Sequence, residues 1–231
     1  MKVAKIIAVV SVALASLNAH AGVVVGGSTL LNAQGVTQLE GWLGQGPLTL
    51  TNIFTKQAGS TSYDFHAAAD GKGATFVLMS ASKDGTHWKT VGGYDPLSWN
   101  SQMGYNYVSD PSNWTSFLFN LTDGVKKSQT SGYETYNMGS YGPTFGGGFD
   151  LYVPTALDFG YSYGWSYGGY TGMSIVDGSY WNGTGIAIGA LEVFTLAPYT
   201  AQAVPEPGSI AILGLGLAGL AASRRKTARK G

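Results

Sequence analysis

Residues 54–119 constrain the fold of this chain more than any other stretch, because the hydrophobic period changes twice within them. A helical phrase at Ser62–Ala69 gives way to alternation at Thr75–Ser82, which resumes at 88–94. Ser62 reads as an N-cap with Asp64 in the first turn, where the helix dipole favours an acid, and Gly71 and Gly73 stop the helix. In Thr75–Ser82 the two alternating sets, Phe76 with Leu78 and Val77 with Met79, are both apolar. Such a strand is expected in the middle of a sheet with both faces covered. Asp84 and Gly85 form a DG turn, which returns the chain through Trp88 to a GGYDP phrase.

On either side the reading is coarser. Val36, Leu39 and Leu43 fall at helical spacing beside Trp42, with Gly44 as C-cap, so a helix of about three turns is expected to cover the sheet. Leu48, Leu50, Asn52 and Phe54 alternate with Thr49, Thr51 and Ile53 as a strand. Later strands are read at 116–121, followed by an Asp123–Gly124 turn, at 150–153, and at 186–196, which closes the domain. The expected class is mainly β with a few helices (α+β).

Five phrases in this order resemble the TLDc domain: FHAAADGKGAT from Phe65, GGY before Trp99, FLFNL from Phe117, FGGGFDLYV from Phe145, and LEVFTL from Leu191. The likeness spans roughly Gly35 to Leu196. It implies a β-sandwich flanked by short helices, with a family core at Phe65, His66, Gly71, Trp99, Phe117, Phe119 and Glu192. Relatives of this kind are regarded as binding or protective modules with no established chemistry.

The ends have a different character. Lys2 and Lys5 precede an apolar run at 6–17, and Ala19 and Ala21 give the small-x-small pattern read by signal peptidase, so residues 1–21 are expected to be a signal peptide cut before Gly22. The whole chain has zero formal charge, but residues 22–203 carry six Lys and no Arg against twelve Asp and Glu. An acidic exported domain lacks the basic stripe that nucleic acid requires, and nucleic acid is not an expected partner. Without cysteine there is no disulfide, thiolate nucleophile or cysteine metal site, and stability falls to apolar burial. All 29 aromatic residues lie within 22–203, which reads as one domain.

Catalytic signatures are absent from the sequence. His66 and His87 are the histidines left after signal cleavage, and no HExxH, GxSxG or EF-hand spacing occurs. His66, near Asp64 and Asp70, suits either an acid–base role or packing and capping. Glu192 is either a buried acid or, as alternation favours, an outward one. Neither metal nor cofactor is expected. The run from Tyr161 to Tyr170 fits a strand or an ordered loop. Tyr161, Tyr163, Trp165 and Tyr167 would be either a ligand surface for sugar or protein, or ordinary packing.

The tail begins Val204, Pro205, Glu206, Pro207, continues with an apolar run at 208–222, and ends in a cluster of Arg224, Arg225, Lys226, Arg229 and Lys230. It resembles the PEP-CTERM sorting signal of Gram-negative bacteria. A helix over the apolar run would be roughly 22 Å long, enough to tether to a membrane but short of its ~30 Å core, with the basic cluster held on the cytoplasmic side. The resemblance implies a cut near the Pro-Glu-Pro by an exosortase-type membrane protease. Residues 204–231 are thus expected to be an address, and the chain an exported, non-enzymatic surface or biofilm-matrix protein. Its ligand is unidentified, with polysaccharide one candidate. An oxidant-protective or enzymatic role and a carbohydrate-binding module are the alternatives.

Overall fold

The computed structural model describes residues 22–180 and 185–200, with Gly216 alone beyond them. The chain divides into two units, Met1–Tyr199 and Thr200–Gly231. Among the described residues, every strand lies in the first unit.

The described residues form twelve strands: β1 (Val23–Val25), β2 (Leu48–Thr55), β3 (Thr75–Ser82), β4 (Lys89–Asp95), β5 (Gly104–Tyr107), β6 (Phe117–Asn120), β7 (Val125–Ser128), β8 (Tyr133–Asn137), β9 (Tyr141–Phe145), β10 (Leu151–Pro154), β11 (Phe159–Ser162) and β12 (Ile186–Pro198). Helix α1 (Ala33–Leu43) lies between β1 and β2, and α2 (Ser62–Ala69) between β2 and β3. The mainly-β expectation holds.

The sandwich is corrected in one respect. All twelve strands belong to one hydrogen-bonded sheet, ordered β5-β8-β9-β10-β11-β12-β3-β4-β6-β7, with β2 and β1 branching from β12. The long strand β12 is the fork. One edge runs along β3, while the other pairs with β11 at Ile186 and Ala187 and with β2 from Glu192 to Pro198. Between those partners the carbonyls of Ile188 and Gly189 accept from Lys56 Nζ at 3.1 and 2.9 Å, and Ala190 N–H donates to Ser80 Oγ. The fork therefore leaves these backbone groups satisfied.

Past the fork, the β8–β10 end of the sheet folds back over the face of β3, β4 and β6. Phe145 of β9 lands on β4, where a Cβ on Gly93 would stand 2.5 Å from its ring. The GGY phrase is thus a seat for an aromatic from the opposite layer. Between the layers lie Val77, Met79, Val91, Leu118, Phe145, Leu151, Val153, Leu191 and Val193, closed at one end by Phe65 of α2 and by Trp99. The other face of the central strands carries Phe76, Leu78, Tyr94, Phe117, Phe119 and Phe194, covered by Val36 and Leu39 of α1. Strand β3 is apolar on both sides because both sides are buried. Of the aromatics expected in the core, Phe65 and Trp99 therefore occupy one cluster, and Phe76, Phe117 and Phe119 occupy the other.

The helix ends follow the sequence closely. Gly44 caps α1 in the left-handed region at φ 73°. The N-cap of α2 is Thr61 rather than Ser62. Thr61 and Asp64 close a capping box, which frees Ser62 to turn inward and donate to the Gly139 carbonyl at 2.8 Å.

Candidate functional site

Strands β5, β8, β9, β10 and β11 contain one charged residue among them, Glu134, and it points inward. Their inner face is core. Leu151 and Val153 are buried, so by alternation Tyr152 faces out; Gly160 and Ser162 are buried, so Tyr161 faces out. The outward rings touch in sequence across five strands. Tyr107 lies 5.0 Å from Tyr133, Tyr133 4.9 Å from Tyr105, and Tyr105 4.8 Å from Tyr136. Tyr136 then meets Phe149 and Tyr141 at 5.2 and 5.7 Å, both meet Tyr152, and Tyr152 meets Tyr161 at 5.0 Å. Most contacts are edge-to-face or tilted, the arrangement the ring quadrupole prefers.

The row is neither core nor bare surface. Tyr105, Tyr107 and Tyr133 are exposed, Tyr107 to 59%, and the other rings are half-buried. Partial burial and neighbouring phenols push the Tyr105 and Tyr152 hydroxyls above their ordinary range and the Tyr161 hydroxyl up to about 12, so all three stay protonated donors at neutral pH. Phe149 has φ 58°, a region that a non-glycine residue enters at a cost, and its ring stacks on Tyr152 at an interplanar angle of 16°.

A second group adjoins the row through Gly147 and Gly148. A Cβ on Gly147 would stand 2.9 Å from the Tyr133 ring, and one on Gly148 would stand 2.7 Å from Trp165. The absence of side chains lets both aromatics settle against the backbone on either side. Trp165 and Tyr170 are exposed to 45% and 69% and meet edge-to-face at 4.9 Å. Tyr163 donates its hydroxyl to that of Tyr170 at 2.9 Å. Asp150 holds this loop from beneath, where Oδ1 accepts the N–H groups of Trp165, Ser166 and Tyr167 at 2.7, 2.8 and 2.9 Å. Burial outweighs those donors and pushes the carboxyl up to about 6.

The four residues read from the sequence as a ligand surface thus separate. Tyr161 belongs to the row, and Tyr163 and Trp165 to the loop group. Tyr167 is completely buried, and its hydroxyl donates to the Glu134 carbonyl at 2.7 Å. For that residue the packing alternative is correct, and the ligand-surface alternative is not. Sequence reasoning missed most of the row. The phrases GYNY and YETYN hold much of it, but an amphipathic ring gives alternation no contrast between apolar and polar positions.

The remaining site residues are structural in placement. His66 is buried; Nδ1 lies 2.6 Å from Asp70 Oδ1, and Nε2 lies 3.0 Å from the carbonyls of both Met138 and Tyr141. Both ring nitrogens are occupied, tying α2 to the turn before β9. Gly71, at φ 70°, donates its N–H to the Trp99 carbonyl. Glu192 is the clear correction to the outward reading. It does point away from Leu191 and Val193, but the segment before α1 covers that face. Thr29 N–H and Oγ1 donate to Oε1 at 2.8 and 2.7 Å, and Ser28 Oγ donates to Oε2.

Among the described residues no group of three or more His, Cys, Asp and Glu is placed to hold a metal ion. A shallow pocket of about 320 Å³ is lined by Lys83, Asp84, His87, Lys89, Val176 and Asp177. There Lys83 Nζ meets Ser179 Oγ, and Asp177 Oδ2 lies 3.9 Å from the same lysine nitrogen.

Ala19 and Ala21 of the cleavage site, the Val204–Pro207 motif and the basic cluster from Arg224 to Lys230 lie outside the described residues; Gly22 is the first residue described. Among the described residues no helix is long and apolar enough to cross a membrane. The PEP-CTERM protein-sorting motif matches residues 203–226. That motif directs a protein through an exosortase, a membrane protease, to the cell surface or extracellular space. No curated protein matches the chain.

Proposed function

We propose that this chain is a non-enzymatic, TLDc-like binding module that an exosortase-type protease releases near Pro205–Pro207 for display at the cell surface or in an extracellular matrix. The sorting motif supports the route. The observation that carries the binding reading is the row of eight contacting rings, which spans five strands whose one charged residue, Glu134, points inward. A protein that needed these rings only for stability would bury them. The TLDc assignment rests on the five sequence phrases together with the β-rich fold.

The face favours a neutral polysaccharide as ligand. Pyranose rings offer C–H faces that pack on aromatic rings and hydroxyls that meet phenols, and five strands at roughly 4.8 Å spacing give a row of about 19 Å, long enough for several sugar units. The acidic domain disfavours an anionic polymer.

Affinity electrophoresis against a panel of neutral polysaccharides tests the binding reading. The full-length protein should be retarded by at least one polymer, and Tyr105→Ala with Trp165→Ala should abolish the retardation. Unchanged mobility on every polymer, or retardation that survives both substitutions, rejects the reading. Mass spectrometry tests the route separately: released protein should start at Gly22 and lack Arg229 and Lys230, and finding them in the extracellular form rejects exosortase processing.

A further inference from the structure

Two acids that no motif announces meet between the layers of the folded sheet. Asp95 ends β4 and Glu134 lies in β8, and both are completely buried. Leu97 N–H donates to Asp95 Oδ1 at 3.0 Å, whereas Asp95 Oδ2 and both carboxyl oxygens of Glu134 have no donor among the described residues. The two sites are joined through hydroxyls: Tyr167 Oη donates to the Glu134 carbonyl and lies 2.8 Å from Ser116 Oγ, which donates to the carbonyl of Tyr94, the residue before Asp95. A hydrogen bond between the two carboxyls exists only when one of them carries a proton. With both ionised, three buried oxygens are left without a donor and two like charges face each other away from water.

We propose that Asp95 and Glu134 hold one proton between them and so form a clasp that fastens the β8 layer to the β4 layer in acid to neutral surroundings and releases it in alkaline ones. The titratable groups around the pair are Tyr94, next to Asp95 in β4, and Tyr167, whose hydroxyl donates to the Glu134 carbonyl and feels both carboxyls. Asp150 acts on the same Tyr167 hydroxyl. These neighbours are neutral or acidic and cannot balance a second negative charge. Burial raises Asp95 far above the usual carboxylate range and pushes Glu134 up to about 7.

The sign follows from linkage. Both folded-state values lie above those of unfolded carboxylates, so the folded pair keeps protons that the unfolded chain has lost; Glu134 gives up the first as pH rises through about 7, the shared one stays with Asp95 into more alkaline surroundings, and stability is fullest at the acid end and drains as pH rises. Strand β8 carries Glu134 inward and Tyr133 and Tyr136 outward, so release of the clasp loosens the strand beneath the aromatic row.

Thermal melting of the full-length protein from pH 5 to 8.5 tests the clasp. The melting temperature should fall by roughly 5 °C or more across that range. Glu134→Gln, which replaces the shared proton with an N–H that pH does not remove, should flatten the fall above pH 6. If that variant does not fold, Asp95→Asn makes the same replacement from the other side. A wild-type melting temperature that is level or rises with pH, or a slope that either variant leaves intact, overturns the proposal. So does a calcium-dependent stabilisation that Asp95→Asn removes, because a cation rather than a proton would then join the acids.

Discussion

The half of the sheet made by β12, β3, β4 and β6 and the half made by β5 and β8–β11 are hydrogen-bonded through one strand, yet they are covered differently. The first is apolar on both faces, with α1 on one and the folded-over layer on the other. The second is apolar only inward, and its outer face is tyrosine. Apolar area removed from water is the main source of stability, whereas a half-exposed ring contributes chiefly its edge-to-face pairs and stays available to a ligand. Stability and outside contact therefore fall to different halves of one sheet.

The largest effect expected is in the doubly covered half. Trp99→Ala or Phe119→Ala should each cost about 3 to 5 kcal/mol, and because the two rings lie in separate cores their costs should add in the double variant. Urea unfolding of the four proteins checks this. Strong coupling between the two sites would mean that the cores are one.

Next in size is Asp150, beneath the exposed loop. Its folded-state value of about 6 lies above that of an unfolded aspartate, so its contribution is fullest near pH 4 and lost as pH rises through 6. Asp150→Asn should remove this dependence, worth about 1 to 2 kcal/mol, while keeping an oxygen for the three N–H groups. Melting curves at pH 4.5 and 7 read the difference, and a variant with the wild-type slope would place the titration elsewhere.

The smallest stability effect belongs to the aromatic row. Tyr107→Ser or Tyr133→Ser should cost about 0.5 to 1.5 kcal/mol per lost ring contact. Unfolding free energies check it; a cost like that of Trp99→Ala would make the row a third core and remove the contrast between the halves.

The doubly covered half was the legible one, for a physical reason. Strand β3 has apolar residues in both alternating sets, Gly44 and the DG turn punctuate their elements, and helix α1 shows its spacing at Val36, Leu39 and Leu43; each is a local signal. Strands β5, β8 and β9 gave none, because GYNY, YETYN and YGPTF place an amphipathic ring where the alternation rule looks for a contrast between apolar and polar. Glu192 shows the limit of that rule: alternation fixes the side of the strand but not what covers that side. Tyr167 and Trp165, two residues apart in one run, end as core and surface because Asp150 turns the backbone between them, which depends on a residue well before them in the chain. The pairing of Asp95 with Glu134 is equally remote in sequence.

The division of labour is tested most directly by one pair of variants measured twice. Tyr152→Ser lies in the middle of the row, and Leu78→Ala lies in the core under α1. On the polysaccharide that retards the wild-type protein, Tyr152→Ser should weaken binding at least tenfold, a loss of about 1.4 kcal/mol, and lower the melting temperature less than Leu78→Ala does. Leu78→Ala should lose about 2 to 5 kcal/mol of stability and, while folded, bind normally. A Tyr152→Ser protein that binds as wild type, or melts as early as Leu78→Ala, would contradict the account.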